Sequence, residues 1–292
     1  PPPPPPPPPP HPQLFFNDTA PTDISTSRCS SAASDVYKRQ EWSSEMDDAP
    51  VYLVLGGTGG IGSELTRQLI EVGGKVIAAG QDESRLSELS RETGAETIAI
   101  DATGFDNVEQ AADRALALFG RLDGIANCVG SVLLRPAHMT SEAAYRETMA
   151  LNLDTAFGAV RVGGKFLGPG GSVVLVSSAV VRSGLPNHEA IAAAKGGIES
   201  LVRSAAATYG PAGIRFNAVA PGLVQTPLTA RITSNERAAE ASRSLHVLGR
   251  FGEPAEVASA IAWLLDPSQG WITGQVIGVD GGLGSARTMP HA

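Results

Sequence analysis

The chain has 292 residues, a formal net charge of −8 and 42% hydrophobic residues. An acidic chain without a run of basic residues has no evident affinity for nucleic acid or for anionic lipid. It contains no stretch of eighteen apolar residues, so no membrane span is expected. Its two cysteines, Cys29 and Cys128, exclude a disulfide framework and favour a reducing cytoplasm.

The first 45 residues differ in composition from the rest of the chain. Residues 1–10 are all proline, which is typical of polyproline II, and the stretch up to Gln40 has no helix or strand period. Parts of this stretch resemble translated sequencing-adapter sequence fused to assembled metagenomic reading frames. We therefore predict that residues 1–45 are non-native or disordered and that their deletion leaves the melting temperature unchanged. A Pro-rich interaction tail is the alternative.

From residue 51 onward, short apolar runs alternate with longer amphipathic stretches. Runs rich in Val, Ile or Leu predict buried strands at residues 51–55, 75–79, 97–100, 124–126, 172–176, 214–219 and 276–279. Helical patterns between them include residues 65–72, 83–92 and 108–119. This alternation predicts one doubly wound α/β domain over residues 46–285, with a parallel sheet of seven strands and helices on both faces. Residues 286–292 are predicted to form a short C-terminal tail.

A glycine-rich segment follows the first predicted strand directly. It contains Gly56, Thr58, Gly60, Ile61 and Gly62 and leads into an apolar helical pattern. Glycine lets the backbone approach a ligand closely, and the free N–H groups and dipole of a helix N-terminus attract phosphate. A strand, a glycine turn and a helix in this order predict a pyrophosphate site for a dinucleotide. A flexible glycine loop without a ligand is the alternative.

Several segments together resemble the short-chain dehydrogenases/reductases. The spacing Gly-x-x-x-Gly-x-Gly resembles the cofactor loop of this family, although the family usually has Thr where this chain has Leu55. The other matching segments are Asp101 with Ala102, residues 127–130, Asn152, Ser177 with Ser178, residues 221–226 and residues 274–282. They occur in the family's order over residues 51–284, which argues against a chance match.

The resemblance implies a Rossmann-type fold and an oxidoreductase that moves a hydride between a nicotinamide dinucleotide and a carbonyl or alcohol substrate. It makes Ser178 the residue that orients the carbonyl, Lys195 the residue that holds the ribose, and Asn152 the anchor of a water-mediated proton relay. The implied cofactor contacts are Gly56, Thr58, Gly60, Ile61, Gly62, Gln81, Asp101, Ala102, Asn127, Val129, Gly130, Lys195, Pro221, Gly222, Val224 and Thr226. No metal ligand is assigned.

The resemblance also implies assembly of identical subunits. The helix after Ile191 carries small residues at 192–194 and 205–207, and small side chains let two helices approach closely. Family members often pair through this helix, so we expect a homodimer or homotetramer with two-fold symmetry.

The family's tyrosine acid/base is missing. In the family this Tyr stands four residues before a Lys, and the position four residues before Lys195 is Ile191. The family's interval of thirteen residues from the serine, counted from Ser178, also ends at Ile191. Isoleucine can neither donate nor accept a proton, and losing a positioned acid costs about 10²–10⁴ in rate.

Two interpretations of this loss remain open. In the first, another group supplies the proton. His188 shares a helical face with Ile191 and Lys195 if the helix begins early enough, and a water relayed through Asn152 and Lys195 is the other source. A local hydrogen bond at the helix start is the alternative role of His188. In the second, the chain is a non-catalytic dinucleotide-binding protein that acts as a sensor or subunit partner. Retention of the other site residues favours the enzyme.

The end of the second strand bears on the choice between NAD and NADP. An acid there binds the ribose 2′-OH of NAD, and a basic residue binds the 2′-phosphate of NADP. Gly80 takes the place of the usual acid, Gln81 takes that of the usual Arg, and Asp82 follows one step later. Arg85 could reach the phosphate only if its turn bends inward. The balance favours NADP. Residues 228–248 correspond to the family's substrate lid, whose mixture of Arg, His and small apolar residues selects no particular ligand.

Overall fold

A computed structural model of the chain describes residues 49–286, which contain a parallel sheet in the order β3-β2-β1-β4-β5-β6-β7. Its strands are β1 (Val51–Leu55), β2 (Lys75–Gly80), β3 (Glu96–Ala99), β4 (Gly124–Asn127), β5 (Ser172–Val176), β6 (Arg215–Pro221) and β7 (Val276–Val279). The predicted doubly wound parallel sheet is confirmed, and the predicted strand ends differ from those of the structure by at most two residues. The predicted tail at residues 1–45 and residues 287–292 lie outside the described residues.

The helices lie between the strands. They are α1 (Gly60–Glu71), α2 (Glu83–Thr93), α3 (Phe105–Phe119), α4 (Glu142–Met149), α5 (Thr155–Phe166), α6 (Val180–Ser183), α7 (Glu189–Tyr209), α8 (Ala230–Thr233), α9 (Glu236–Leu245) and α10 (Pro254–Leu265). Helix α1 begins five residues before the predicted pattern, because residues 60–64 are glycine and polar residues apart from Ile61, and one apolar side chain sets no period. Within residues 49–286, no helix is both long and apolar enough to cross a membrane.

The sheet separates two apolar cores. Leu53 and Val54 are adjacent in β1 and both fully buried, yet they belong to different clusters, because successive strand residues point to opposite faces. One cluster includes Val108 of α3 and Ile198 of α7, and the other includes Ile261 of α10. Burial on both faces explains why the strands are continuous apolar runs instead of alternating ones.

The order of the strands creates a crevice at one edge of the sheet. Strand β1 pairs with β2 on one side and β4 on the other, so the connections after β1 and β4 leave in opposite directions. Leu55, the last residue of β1, lies opposite both Ala79 and Asn127. Ligands of open α/β sheets bind outside the carboxyl ends of the strands at such a switch point.

Candidate active site

The glycine turn after β1 is packed tightly against its own backbone. Gly56 has φ +74°, and a Cβ there would lie 2.9 Å from the backbone of Cys128 and Val129. A Cβ on Gly62 would lie 2.2 Å from the carbonyl oxygen of Gly56. Glycine is therefore required at both positions by the turn itself. An approach of the pyrophosphate to the bare backbone of Gly60 and Gly62 stays a prediction.

Helix α1 offers backbone donors to an anion. No side chain caps its start at Gly59, so the first N–H groups, those of Gly60, Ile61 and Gly62, have no acceptor within the helix. A Cβ on Gly60 would lie 2.8 Å from Cγ2 of Thr226, so the segment of residues 221–226 reaches the same turn. Bare backbone and free amides at a helix N-terminus fit the pyrophosphate of a dinucleotide.

A groove of about 320 Å³ continues from this turn across the ends of β2 and β4. The predicted cofactor residues that line it are Gly56, Thr58, Gln81, Asp101, Ala102, Val129 and Gly130. Asp101 accepts hydrogen bonds from the backbone N–H and the hydroxyl of Thr103, at 3.0 and 2.7 Å. The hydrogen bonds from Thr103, with a further one from Gln81, lower the pKa of Asp101. The groove therefore carries an ionised carboxylate where an adenine amino group could donate.

The side chains of Asp82 and Arg85, which follow β2, contact different parts of the structure. Asp82 caps α2 and accepts from the backbone N–H groups of Ser84 and Arg85, and these bonds and the Ser84 hydroxyl lower its pKa. Arg85 donates from Nη2 to the carbonyl oxygen of Thr58, so its guanidinium reaches the glycine turn and lines the groove. The structure thus meets the condition stated for Arg85, since its turn bends inward.

Asn127 lies beneath the groove and does not line it. The residue is 2% exposed; its Nδ2 donates to the hydroxyl of Thr155 at 3.1 Å, and its Oδ1 accepts from the backbone N–H of Val129 at 3.2 Å. Asn127 therefore holds the segment after β4 in place, and its cofactor contact stays a prediction.

The side-chain ends of Lys195 and Asn152 both lie close to Gly130. A Cβ on Gly130 would lie 3.4 Å from Lys195 Nζ and 2.9 Å from Asn152 Oδ1. Lys195 is 7% exposed and donates to the carbonyl oxygen of Val176 at 2.7 Å. Burial lowers its pKa from 10.5 to about 8. The Lys195 ammonium therefore loses its proton more readily than an ordinary lysine does. It is the main charge beside Gly130 and Asn152.

Asn152 occupies a π-helical turn, Ala150–Asp154, between α4 and α5. Its Oδ1 accepts from the backbone N–H of Ser131 at 3.2 Å, and its Nδ2 donates to the Ser131 hydroxyl at 3.0 Å. The sequence did not single out Ser131; its position directly after Gly130 was the available signal. The water relay through Asn152 stays a prediction.

The two serines after β5 have different surroundings. Ser177 is 2% exposed, and its hydroxyl contacts the carbonyl oxygen of Lys195 and the Glu199 carboxylate, both at 3.2 Å. Ser178 is half-buried and lines a separate cavity of about 290 Å³. Of the two, Ser178 is therefore the one that a substrate can reach.

Ile191 and His188 line the same cavity as Ser178. Ile191 is 4% exposed, so the side chain at the position predicted for the family's tyrosine is apolar and buried. Helix α7 begins at Glu189, which leaves His188 at the N-cap and outside the helix. The expected shared helical face is therefore wrong, yet the loop before α7 still brings His188 to this cavity. His188 Nδ1 lies 2.7 Å from the carbonyl oxygen of Pro186.

Residues 221–226, at the end of β6 and after it, have different surroundings. Pro221 and Gly222 line the cavity that contains Ser178. Val224 is 5% exposed and forms a bridge with Gly252, and the Thr226 hydroxyl lies 3.1 Å from that of Thr229. Cofactor contacts of these residues stay predictions.

His246 is a residue whose place the sequence did not reveal. It is 4% exposed; its Nδ1 lies 2.7 Å from the Ser242 carbonyl oxygen, and its Nε2 accepts from the backbone N–H of Leu223 at 3.0 Å. A Cβ on Gly222 would lie 2.6 Å from Nε2, so glycine is required there. The ring joins the end of α9 to the loop after β6, and two occupied nitrogens identify it as neutral with the proton on Nδ1.

Comparison with known proteins agrees with this geometry. Residues 56–284 match the family described as enoyl-(acyl carrier protein) reductase. The chain is 36% identical over 245 residues to cis-4-hydroxycyclohexanecarboxylate dehydrogenase of Sinomonas cyclohexanicum, an alignment that covers 80% of this chain and 95% of that protein. It is 31% identical over 245 residues to a 3-oxoacyl-(acyl-carrier-protein) reductase of Thermotoga maritima, with 81% and 98% covered.

A solved short-chain type dehydrogenase/reductase from Mycobacterium ulcerans superposes with a TM-score of 0.77 and 29% identity, over 82% of this chain and 90% of that chain. A dinucleotide groove at the switch point of a parallel sheet, beside a cavity that contains a serine, defines the class as nicotinamide-dependent oxidoreductases. The chain belongs to the short-chain dehydrogenase/reductase family, whose members interconvert carbonyl and alcohol groups with NAD or NADP.

Proposed function

We propose that the protein is an NADP-preferring carbonyl reductase or alcohol dehydrogenase in which His188 replaces the missing tyrosine as the proton donor. The observation that supports this proposal is the common cavity of Ser178, His188 and Ile191. Its partner is a small carbonyl or alcohol molecule. An unpaired Cys128 among the described residues is compatible with the cytoplasm, where we place the protein.

In this mechanism the residues of the cavity handle the carbonyl oxygen. Nicotinamide, when bound, supplies or accepts the hydride. The Ser178 hydroxyl donates to the substrate carbonyl, and the Lys195 ammonium holds the ribose. As the carbonyl carbon gains the hydride, its oxygen takes a proton from the His188 imidazolium, which becomes neutral. Pro186 accepts from Nδ1–H in both states, so Nε2 is the nitrogen that exchanges the proton.

Two variants at the helix start test the proton donor. If His188 supplies the proton, His188→Ala reduces turnover of an accepted ketone by about 10²-fold or more, and Ile191→Tyr in the same background restores part of it. The kcat/KM of both variants and of the parent measures this effect.

The outcomes separate the alternatives. If His188→Ala is as active as the parent, His188 is not the donor, and a water relayed through Asn152 and Lys195 takes its place. If neither the parent nor Ile191→Tyr turns over any ketone or alcohol while both bind the cofactor, the protein is a non-catalytic dinucleotide binder.

The preference for NADP rests on Arg85. The carboxylate of Asp82 is engaged as a helix cap, and the guanidinium of Arg85 is the cationic group among the residues that line the groove. Because hydrogen bonds to charged groups contribute about 1.5–3 kcal/mol, Arg85→Gln is expected to weaken NADPH binding by roughly 10- to 100-fold while NADH binding is unchanged. Fluorescence titration with both cofactors measures this. Arg91→Gln, exposed on the same helix, is the matched control, and equal losses for both cofactors would contradict the preference.

The exposure of its side chains limits which alanines of α7 can contact a second subunit. Ala194 and Ala205 are buried in the core of the subunit, whereas Ala193 and Ala207 are exposed. We propose that the exposed alanines face a second copy in a homodimer or homotetramer. Light scattering at micromolar concentration is expected to give a multiple of the subunit mass, and Ala193→Glu is expected to reduce it. A monomeric mass for the parent protein would refute the assembly.

A further inference from the structure

Apart from the His188 imidazole, which is a cation in the proton-donating step, the walls of the cavity that contains Ser178 carry no charged side chain. Among the described residues, no Asp, Glu, Lys or Arg lines it. Most of the lining is aliphatic and includes Leu134, Val180, Leu185, Ile191, Ile232 and Leu245. The cavity volume of about 290 Å³ lies at the lower end of the range for ligand pockets. The shape therefore suits a compact ligand with a largely apolar surface.

Some polar side chains in the walls are already occupied within the protein. His246 uses both ring nitrogens, for the Ser242 carbonyl oxygen and the Leu223 N–H. Thr229 donates to the Val224 carbonyl oxygen at 2.5 Å and accepts from the Thr226 N–H at 3.1 Å. The side chains that remain for a ligand are those of Ser178, His188 and Ser242, which suffice for one or two oxygen atoms.

The arginines of the lid do not supply a counter-charge. Arg231 and Arg237 are exposed, and neither lines the cavity. Arg243 forms an ion pair with Glu240 at 2.9 Å and lies 5.3 Å from the centre of the Phe251 ring. A carboxylate or phosphate inside the cavity would therefore find no Lys or Arg partner, and pairing with the His188 imidazolium would occupy the proton that the carbonyl oxygen needs, so a desolvated anion is unfavourable there.

We infer that the substrate is a compact, uncharged alicyclic or aromatic ketone, or the corresponding secondary alcohol, and that it carries no carboxylate or phosphate. This inference rests on the proposed function, because it takes the cavity beside Ser178 as the substrate site. The carbonyl oxygen lies at Ser178 and His188, and the hydrocarbon ring contacts the aliphatic residues of the lid.

Paired probes of similar size test the charge preference. 4-Methylcyclohexanone and 4-oxocyclohexanecarboxylate differ mainly in charge, and with oxidised NADP each ketone forms a ternary complex that does not react. Calorimetric titration of the NADP-saturated protein is expected to show the neutral ketone binding at least 100-fold more tightly. Equal or tighter binding of the carboxylate overturns the inference. Tight binding of the neutral ketone without turnover with NADPH supports the charge preference of the cavity and overturns the proposed function.

A charge introduced into the lid should reverse the preference. Ile232→Arg places a cation in the cavity wall, so the carboxylate is expected to gain at least 10-fold in affinity while the neutral ketone loses affinity. Leu245→Arg is the second variant in case the first does not fold, as judged by its melting temperature. Leu118→Arg on α3, where Leu118 is 43% exposed, is the control and leaves both affinities unchanged. If a folded lid variant alters neither affinity, the cavity is not the substrate site.

Discussion

Replacement of Gly62 by valine is expected to weaken dinucleotide binding by about 10³-fold or more. A Cβ at this position would lie 2.2 Å from the Gly56 carbonyl oxygen, so the turn has to open. Opening moves the N–H groups at the start of α1 away from the pyrophosphate. A hydrogen bond to a charged group contributes about 1.5–3 kcal/mol, and the loss of two such bonds reaches the stated factor.

Calorimetric titration with NADP and NAD measures this loss, and circular dichroism checks the fold. Overpacking costs about 1–3 kcal/mol, so a lower melting temperature is expected with the sheet retained. Gly168→Val is the matched control, because Gly168 is exposed and nothing lies within 4 Å of the Cβ that it would gain. Unchanged affinity in Gly62→Val would mean that the cofactor does not bind at this turn.

Lys195→Met is expected to lower kcat/KM by about 10²-fold or more, because the ammonium that holds the ribose, and with it the nicotinamide, in place is lost. The ammonium is buried beside Gly130, and burial lowers its pKa to about 8. Activity that depends on the charged amine therefore decreases in the parent protein as the pH rises above about 8. Lys165→Met, at an exposed surface lysine on α5, should retain parental kcat/KM.

The same group makes stability depend on pH. Below pH 8, Lys195 is charged in both the folded and the unfolded chain, and the folded chain bears the cost of burying that charge. Between pH 8 and the ordinary lysine value of 10.5, the unfolded chain binds the proton and the folded chain does not. The free energy of unfolding of the parent therefore rises relative to Lys195→Met, by on the order of 3 kcal/mol over this window. Urea unfolding at several pH values measures it, and parallel curves would contradict a buried, easily deprotonated lysine.

Much of the fold follows from local patterns. Buried parallel strands require continuous apolar runs, so the pattern of residues 51–55 and 172–176 predicted β1 and β5 with the observed bounds. The glycine turn was predictable because Gly56 must adopt a positive φ there. The prediction that the tyrosine is absent came from counting, since the intervals from Lys195 and from Ser178 both end at Ile191. Such features depend on spacing along one segment of chain.

The sequence by itself therefore determined the parallel sheet and the glycine turn after β1, and it predicted the loss of the tyrosine. The tertiary structure decided which polar groups remain available for a substrate. Only folding shows that His188 lies outside α7 yet lines the cavity, that Asn127 is held by Thr155, and that His246 is occupied by Leu223, a residue 23 positions away. The physical reason is that a hydrogen bond between distant segments depends on how whole elements pack, and no periodicity within either segment records it.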